Sequence, residues 1–233
     1  MSSEKQEVVS TKKQFLTLEL IVVIMLGITA ICTAWASWVS SVHGSNQDES
    51  FIMSNHLSAE GNSEYNAGIQ ELMMDMMIYN NVNSLFIDLH FAEMHGDTTE
   101  AEKLDWKIDE LIEGNMSAGL YDAFNWAMSE SERRGEHVSP FDNEEFVDSY
   151  FEHALELLNE SEEALAQGQL DSAHSTAFGL ATVIYAVVLF LLGIVTSFPD
   201  ERYKKILICV SCVAFLVATI YMLTIPLPTG MFG

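Results

Sequence analysis

The sequence predicts an all-α integral membrane protein, with three transmembrane helices and an antiparallel helical extracytoplasmic stalk or bundle. Apolar runs at 15–40, 172–198 and 206–226 each reach the roughly 20 residues that a helix needs to cross hydrocarbon. Residues 41–171 show helical periodicity and no alternating strand pattern. Charge is also sharply partitioned. Residues 41–174 hold 29 Asp and Glu against Lys103, Lys107, Arg133 and Arg134, a net −25, while the rest of the chain carries +1. An exterior this acidic repels nucleic acid and anionic lipid and attracts cations and basic partners, which argues against nucleic-acid binding.

The chain divides into a cytoplasmic tail (1–14), a first span (15–40), the acidic extracytoplasmic domain (41–171), a second span (172–198), a cytoplasmic turn (199–205), a third span (206–226) and an outer tail (227–233). The first apolar run exceeds the 7 to 15 residues of a signal peptide and reads as a retained anchor. Six of the ten basic residues lie in the tail (Lys5, Lys12, Lys13) and the turn (Arg202, Lys204, Lys205), which sets both on the cytoplasmic side. Trp35 and Trp38 then fall at the outer interface. Glu19 is the one acidic residue within a span: an ion or proton ligand facing other helices, or a group near the cytoplasmic interface reaching water or Lys12. Gly27, Ala30 and Ala34 form a smooth face for packing against the other spans or against a second copy. Cys32, Cys209 and Cys212 all lie within spans, read as small packing residues and form no disulfide framework.

In the outer domain, Tyr65, Ile69, Leu72, Met76, Tyr79, Asn83 and Phe86 recur at steps of three and four, the seam of a coiled coil or bundle helix over 62–95. Gly96 and Asp97 end that helix, and Thr99 with Glu102 suggests a capping box for a second. That second helix sets Leu104, Ile108, Leu111 and Ile112 on one face. A third is expected over 117–128, with Leu120, Tyr121, Phe124 and Trp126 inward, followed by a loop over 129–142 containing Gly135 and Pro140. Asp142 should cap the last outer helix, with Asn143, Glu144 and Glu145 in its first turn. Phe146, Tyr150, Phe151, Ala154, Leu157 and Leu158 form its apolar face.

Two patterns suggest metal chemistry. Met73, Met74, Met76 and Met77, near histidines, offer thioether and imidazole donors suited to copper, although core packing accounts for Met76. His90 with Glu93, and His153 with Glu156, each sit three residues apart on one helical face. Di-metal carboxylate bundles use Glu-x-x-His in the opposite order plus two further Glu, so the match is partial. The chain has no phosphate loop, zinc-binding Cys/His pattern or nucleophile elbow. Asn115 with Ser117 and Asn159 with Ser161 form glycosylation acceptor patterns.

The run Thr33-Ala34-Trp35-Ala36-Ser37-Trp38, the Ser139-Pro140-Phe141 loop, and the second-span segment from Gly179-Leu180-Ala181-Thr182-Val183-Ile184-Tyr185 to Ile194 together resemble a family of uncharacterised prokaryotic membrane proteins. The resemblance covers the chain end to end and implies one span, a long helical outer segment and a C-terminal pair of spans. It implies no activity. This chain is far more acidic outside, which suggests a salt-rich or acid-facing environment or a cationic partner.

The expected function is therefore non-enzymatic: an oligomeric scaffold, or an accessory subunit of a larger plasma-membrane complex, acting through the acidic outer domain. Two alternatives stand beside it. One is a cation-conducting oligomer with an acidic vestibule, and the other a copper or di-metal site at His90, Glu93, His153 and Glu156.

Overall fold

The structure is a computed structural model that describes the backbone of residues 2–228 and the side chains of residues 18–228. The basic side chains expected in the N-terminal tail and the outer tail beyond residue 228 lie outside that description. Every element among the described residues is helical: α1 (Ser2–His95), α2 (Thr98–Asn115), α3 (Ala118–Arg134), a 3₁₀ turn (Pro140–Asp142), α4 (Glu144–Ser149), α5 (Glu152–Ile194), a second 3₁₀ turn (Val195–Ser197) and α6 (Glu201–Leu223). All four prolines, Pro140, Pro199, Pro226 and Pro228, fall outside the α-helices, so none removes a hydrogen bond from α1 or α5. Uninterrupted propagation follows. The segments expected as the first span and the first outer helix are one element, and Gly44 does not end it.

Caps stop the helices where local chemistry dictates. Gly96 takes a left-handed φ of 73° after α1, with its N–H on the Glu93 carbonyl and that of Asp97 on Ala92, a Schellman closure. Asp97, rather than Thr99, caps α2 by accepting from the Glu100 N–H at 3.1 Å. Ser117 caps α3, which runs past Met128 to Arg134 and ends at left-handed Gly135. Asp142 closes a reciprocal capping box with Ser139, and the cap of α4 is Asn143. The last outer helix is thus split at Tyr150 and Phe151.

The fold comprises two compact units: residues 1–53 with 163–233, and residues 54–162. In the first, α1, α5 and α6 are each long and apolar enough to cross a membrane. Its core joins Ala36, Val39, Phe178, Ala181, Tyr185 and Ala218, and a second cluster joins Val22, Val188, Leu192 and Val195. Large apolar side chains such as Ile31, Phe190, Val213 and Ile220 point outward. The Tyr185 hydroxyl meets Thr219 Oγ1 at 3.0 Å, which satisfies both groups inside this apolar setting. In the second unit, Tyr79, Leu120, Ala123 and Phe146 form the core, with Phe124, Phe141 and Tyr150 against it.

Small residues draw the helical backbones together in both units. Along α1, Ser54, Gly61, Gly68, Asp75 and Val82 are buried at seven-residue intervals, as are Ala154, Ser161 and Gly168 along α5. A Cβ on Gly68 would collide with the Tyr150 carbonyl oxygen, and one on Gly61 would lie 3.0 Å from Leu158. In the first unit, a Cβ on Gly168 would lie 2.6 Å from the Phe51 ring. The expected seam flanks this line instead of forming it: Tyr65 and Met76 are exposed, Ile69, Leu72, Asn83 and Phe86 are half-buried, and Tyr79 is buried.

Because the atom opposing Gly68 belongs to the backbone, a methyl group there has nowhere to go. Gly68→Ala should destabilise the protein by about 1–3 kcal/mol, the usual cost of overpacking. Gly27→Ala, where nothing lies within 4 Å, should be neutral or stabilising through helix propensity. Thermal unfolding of both variants in detergent separates the two outcomes; equal midpoints would refute the close-approach account.

At the end of α3, Arg133 and Arg134 both bond Glu130, with Arg133 Nε at 2.8 Å from Oε2 and Arg134 Nε at 2.7 Å from Oε1. Hydrogen bonds from Arg133, then Arg134, lower the Glu130 carboxyl from 4.5 to about 2. A depressed carboxyl favours the folded form above the unfolded value, and that contribution fades as pH falls from 4.5 towards 2. The Glu130 carboxylate should therefore titrate with a midpoint near 2 by NMR; a midpoint at 4 or above would refute the clamp.

Candidate functional site

The first unit holds a polar cluster within an otherwise apolar helical core. His43, on α1, is 1% exposed, and Asp171, on α5, is 4% exposed. His43 Nδ1 lies 2.7 Å from Asp171 Oδ1, and His43 Nε2 lies 3.2 Å from the Pro226 carbonyl oxygen. The two ring nitrogens thus face two oxygens, the Asp171 carboxylate at Nδ1 and the Pro226 carbonyl at Nε2. Gln167 Nε2 donates to the second carboxylate oxygen of Asp171 at 2.9 Å. His174 stands one turn from Asp171 on the same face of α5, and its ring meets that of His43 edge-on at 5.1 Å. Phe178, one turn further along α5, stacks on the His43 ring at 5.8 Å. One ligand atom from each of His43, Asp171 and His174 falls within 4.8 Å of the other two. One turn further along, Ser40 and Ser175 donate to each other's backbone carbonyls at 2.8 and 2.9 Å.

The second unit is organised around Asp75, which lies on the small-residue line of α1 and is buried. Its Oδ2 accepts from Ser117 Oγ at 2.8 Å and from the Tyr150 hydroxyl at 2.5 Å. Ser117 thereby caps α3 with its oxygen and anchors the helix to α1 with its hydrogen. Desolvation first, then the Asp75 carboxylate, holds the Tyr150 hydroxyl far above the usual phenol range, so it stays a donor. Elsewhere in this unit lies an open cavity of about 540 Å³, lined by Tyr79, Asn83, Phe86, Phe124, Met128 and His137 among others. The Tyr79 hydroxyl meets His137 Nε2 at 3.2 Å on its wall. Burial is the main cause that pushes the Tyr79 phenol upward.

The metal-ligand pairs expected from the sequence are elsewhere and open to solvent. His90 and Glu93 are exposed on α1, and His153 meets Glu156 at 3.7 Å on the exposed face of α5. None of the four joins a set of three ligating side chains. Among the described residues, the one such set is His43, Asp171 and His174. Met73, Met74, Met76 and Met77 are all exposed. Glu19 lines a small crevice with Thr196, Glu201 and Lys204, at the end of the bundle where the turn between α5 and α6 lies. Sequence reasoning missed His43, Asp171 and Asp75. Asp171-x-x-His174 was the available signal, an i, i+3 ligand pair at the start of the second apolar run, as was the seven-residue step from Gly68 to Asp75.

Comparison of the chain with protein-family models, curated proteins and solved structures finds no match in any of the three.

Removing one donor from the Asp75 network leaves a buried carboxylate short of a partner. Tyr150→Phe should cost about 1.5–3 kcal/mol, the range for hydrogen bonds to charged groups. Thermal unfolding in detergent measures this, and an unchanged midpoint would show that the bond carries no stability.

Proposed function

We propose that the protein is a non-enzymatic, multi-pass plasma-membrane protein that docks a partner through its acidic helical unit, as an accessory subunit of a membrane complex. An unpartnered apolar face on the second unit carries this reading. Met73, Met77, Ile87, Phe91 and Met94 are each more than half exposed. At 100° per residue they fall within an arc of about 100° on α1, roughly opposite Gly68, Asp75 and Val82. A stripe of this kind, rich in adaptable methionine, suits a helix laid along it.

Charge selects the partner. Residues 54–162 hold 25 acidic and 4 basic side chains, a net −21, and three of the four cations already bond to acidic neighbours in the same unit. Two copies meeting at this face would bring like charge together, whereas a cationic amphipathic segment would be drawn to it. We therefore place a basic subunit on this face, and not a second copy. The pairings Ser54 with Ser161, Gly61 with Leu158 and Gly68 with Tyr150 support an antiparallel helical bundle here. The distribution of Lys and Arg supports a cytoplasmic N-terminus and an extracytoplasmic acidic unit. Tyr65, Ile69 and Leu72 pack at or beside the intramolecular contact, which leaves the opposite face to bind.

The test is the mass and composition of the gently solubilised native particle, with a photo-crosslinker at Phe91 and, as control, at Glu93. Foreign basic subunits crosslinked from Phe91, lost on Met77→Glu and weakened by salt, are the expected result. A monomer, or a particle built of this chain alone, would refute the proposal.

A further inference from the structure

We infer that His43, Asp171 and His174 form a binding site for one divalent transition-metal ion of the imidazole-preferring kind, such as Zn²⁺. The inference is independent of the docking surface, since all its residues belong to the first unit. Two imidazoles and one carboxylate are the donor set of borderline ions, and oxygen-preferring Mg²⁺ and Ca²⁺ would find too few oxygens here. The three donor atoms lie within 4.8 Å of one another. Around a tetrahedral ion with bonds of about 2.0–2.2 Å, neighbouring donors stand roughly 3.3 Å apart. Side-chain rotations therefore suffice to gather them. A fourth position remains for water or another small ligand.

The groups behind these donors strengthen the assignment. Metal-bound histidine characteristically donates its other ring N–H to a carbonyl or carboxylate, which fixes ring orientation and tautomer. His43 Nε2 already has such a partner in the Pro226 carbonyl, so Nδ1 is the atom turned to the site. Gln167 holds one carboxylate oxygen of Asp171 and leaves Oδ1 aimed at Nδ1. Phe178 and the surrounding helices exclude water from one side. Nδ1 and Oδ1 meet at 2.7 Å beside the point where the ion would sit. The ion takes its lone pair from a neutral imidazole, so any hydrogen on Nδ1 leaves to solvent as the ion enters.

The acidic surface of the other unit binds divalent ions weakly, so the experiment must separate site from surface. Full-length protein in detergent is titrated with Zn²⁺ in the presence of excess Mg²⁺ to occupy exposed carboxylates. Visible absorption after Co²⁺ substitution reports coordination geometry. We expect one tight equivalent per chain and an intense tetrahedral Co²⁺ spectrum. His174→Ala, at the half-buried and least structurally constrained ligand, should abolish both or weaken binding by about 100-fold or more, and Gln167→Ala by about 10-fold, as outer partners of metal ligands do. His153→Ala should change neither. Tight Zn²⁺ binding that survives His174→Ala, binding that Mg²⁺ removes, or a weak octahedral Co²⁺ spectrum would each overturn the assignment. Since His174 also touches the His43 ring, circular dichroism and elution volume verify that the variant remains folded.

Discussion

The structure depends on how closely helical backbones approach where side chains are smallest. In the second unit, the Tyr150 carbonyl occupies the space that a methyl group on Gly68 would need, and Leu158 nearly fills that of Gly61. In the first, the Phe51 ring takes the place of a side chain on Gly168. Such contacts gain dispersion from many backbone atoms at short range, and they lose little side-chain entropy on forming. They suit apolar and aqueous surroundings alike. Inside a bilayer there is no hydrophobic gain from helix association, so close packing must do what apolar burial does in water.

Polar groups set into these close contacts decide register. Ser54 with Ser161, Ser40 with Ser175, Asp75 with Ser117 and Tyr150, and His43 with Asp171 each join distant parts of the chain. A shift of one helix past another by a residue would leave several of these groups buried without partners. Burial of an unpaired carboxylate is costly enough to disfavour the alternatives. The glycine contacts and the polar pairs therefore select the same alignment. The same groups that fix alignment are the ones with chemical potential, and His43 with Asp171 and His174 shows the two roles meeting in one place.

Much of the helical content was legible in the sequence, because long apolar runs and turn residues carry it. The breaks at Gly96 and Gly135 were marked by glycine, and the extended loop by Pro140. The caps were less clear: Asp97 outcompetes Thr99 for the start of α2, and Asn143 takes the role expected of Asp142, since which oxygen reaches an N–H depends on the path of the incoming chain. The small-residue line of α1 did not show in the apolar periodicity for a definite reason. Apolar periodicity weighs large side chains, so Tyr65, Ile69, Leu72 and Met76 outweighed Gly61 and Gly68, whose contribution is an absence. The polar site failed to show for a related reason: His43 and Asp171 are 128 residues apart, and neither sits in a local motif with the other.

The small-residue line also governs how this protein responds to mutation. A conventional alanine scan interrogates a contact by deleting atoms, and at glycine it adds them. Scanned in that way, α1 would show a loss at Gly68, where backbone opposes the added methyl, alongside those at the bulky flanking residues, so size alone would not track importance. Sequence drift should follow the same asymmetry. Exposed methionines and leucines can exchange freely among apolar types, while the least conspicuous positions in the chain admit almost no substitution at all.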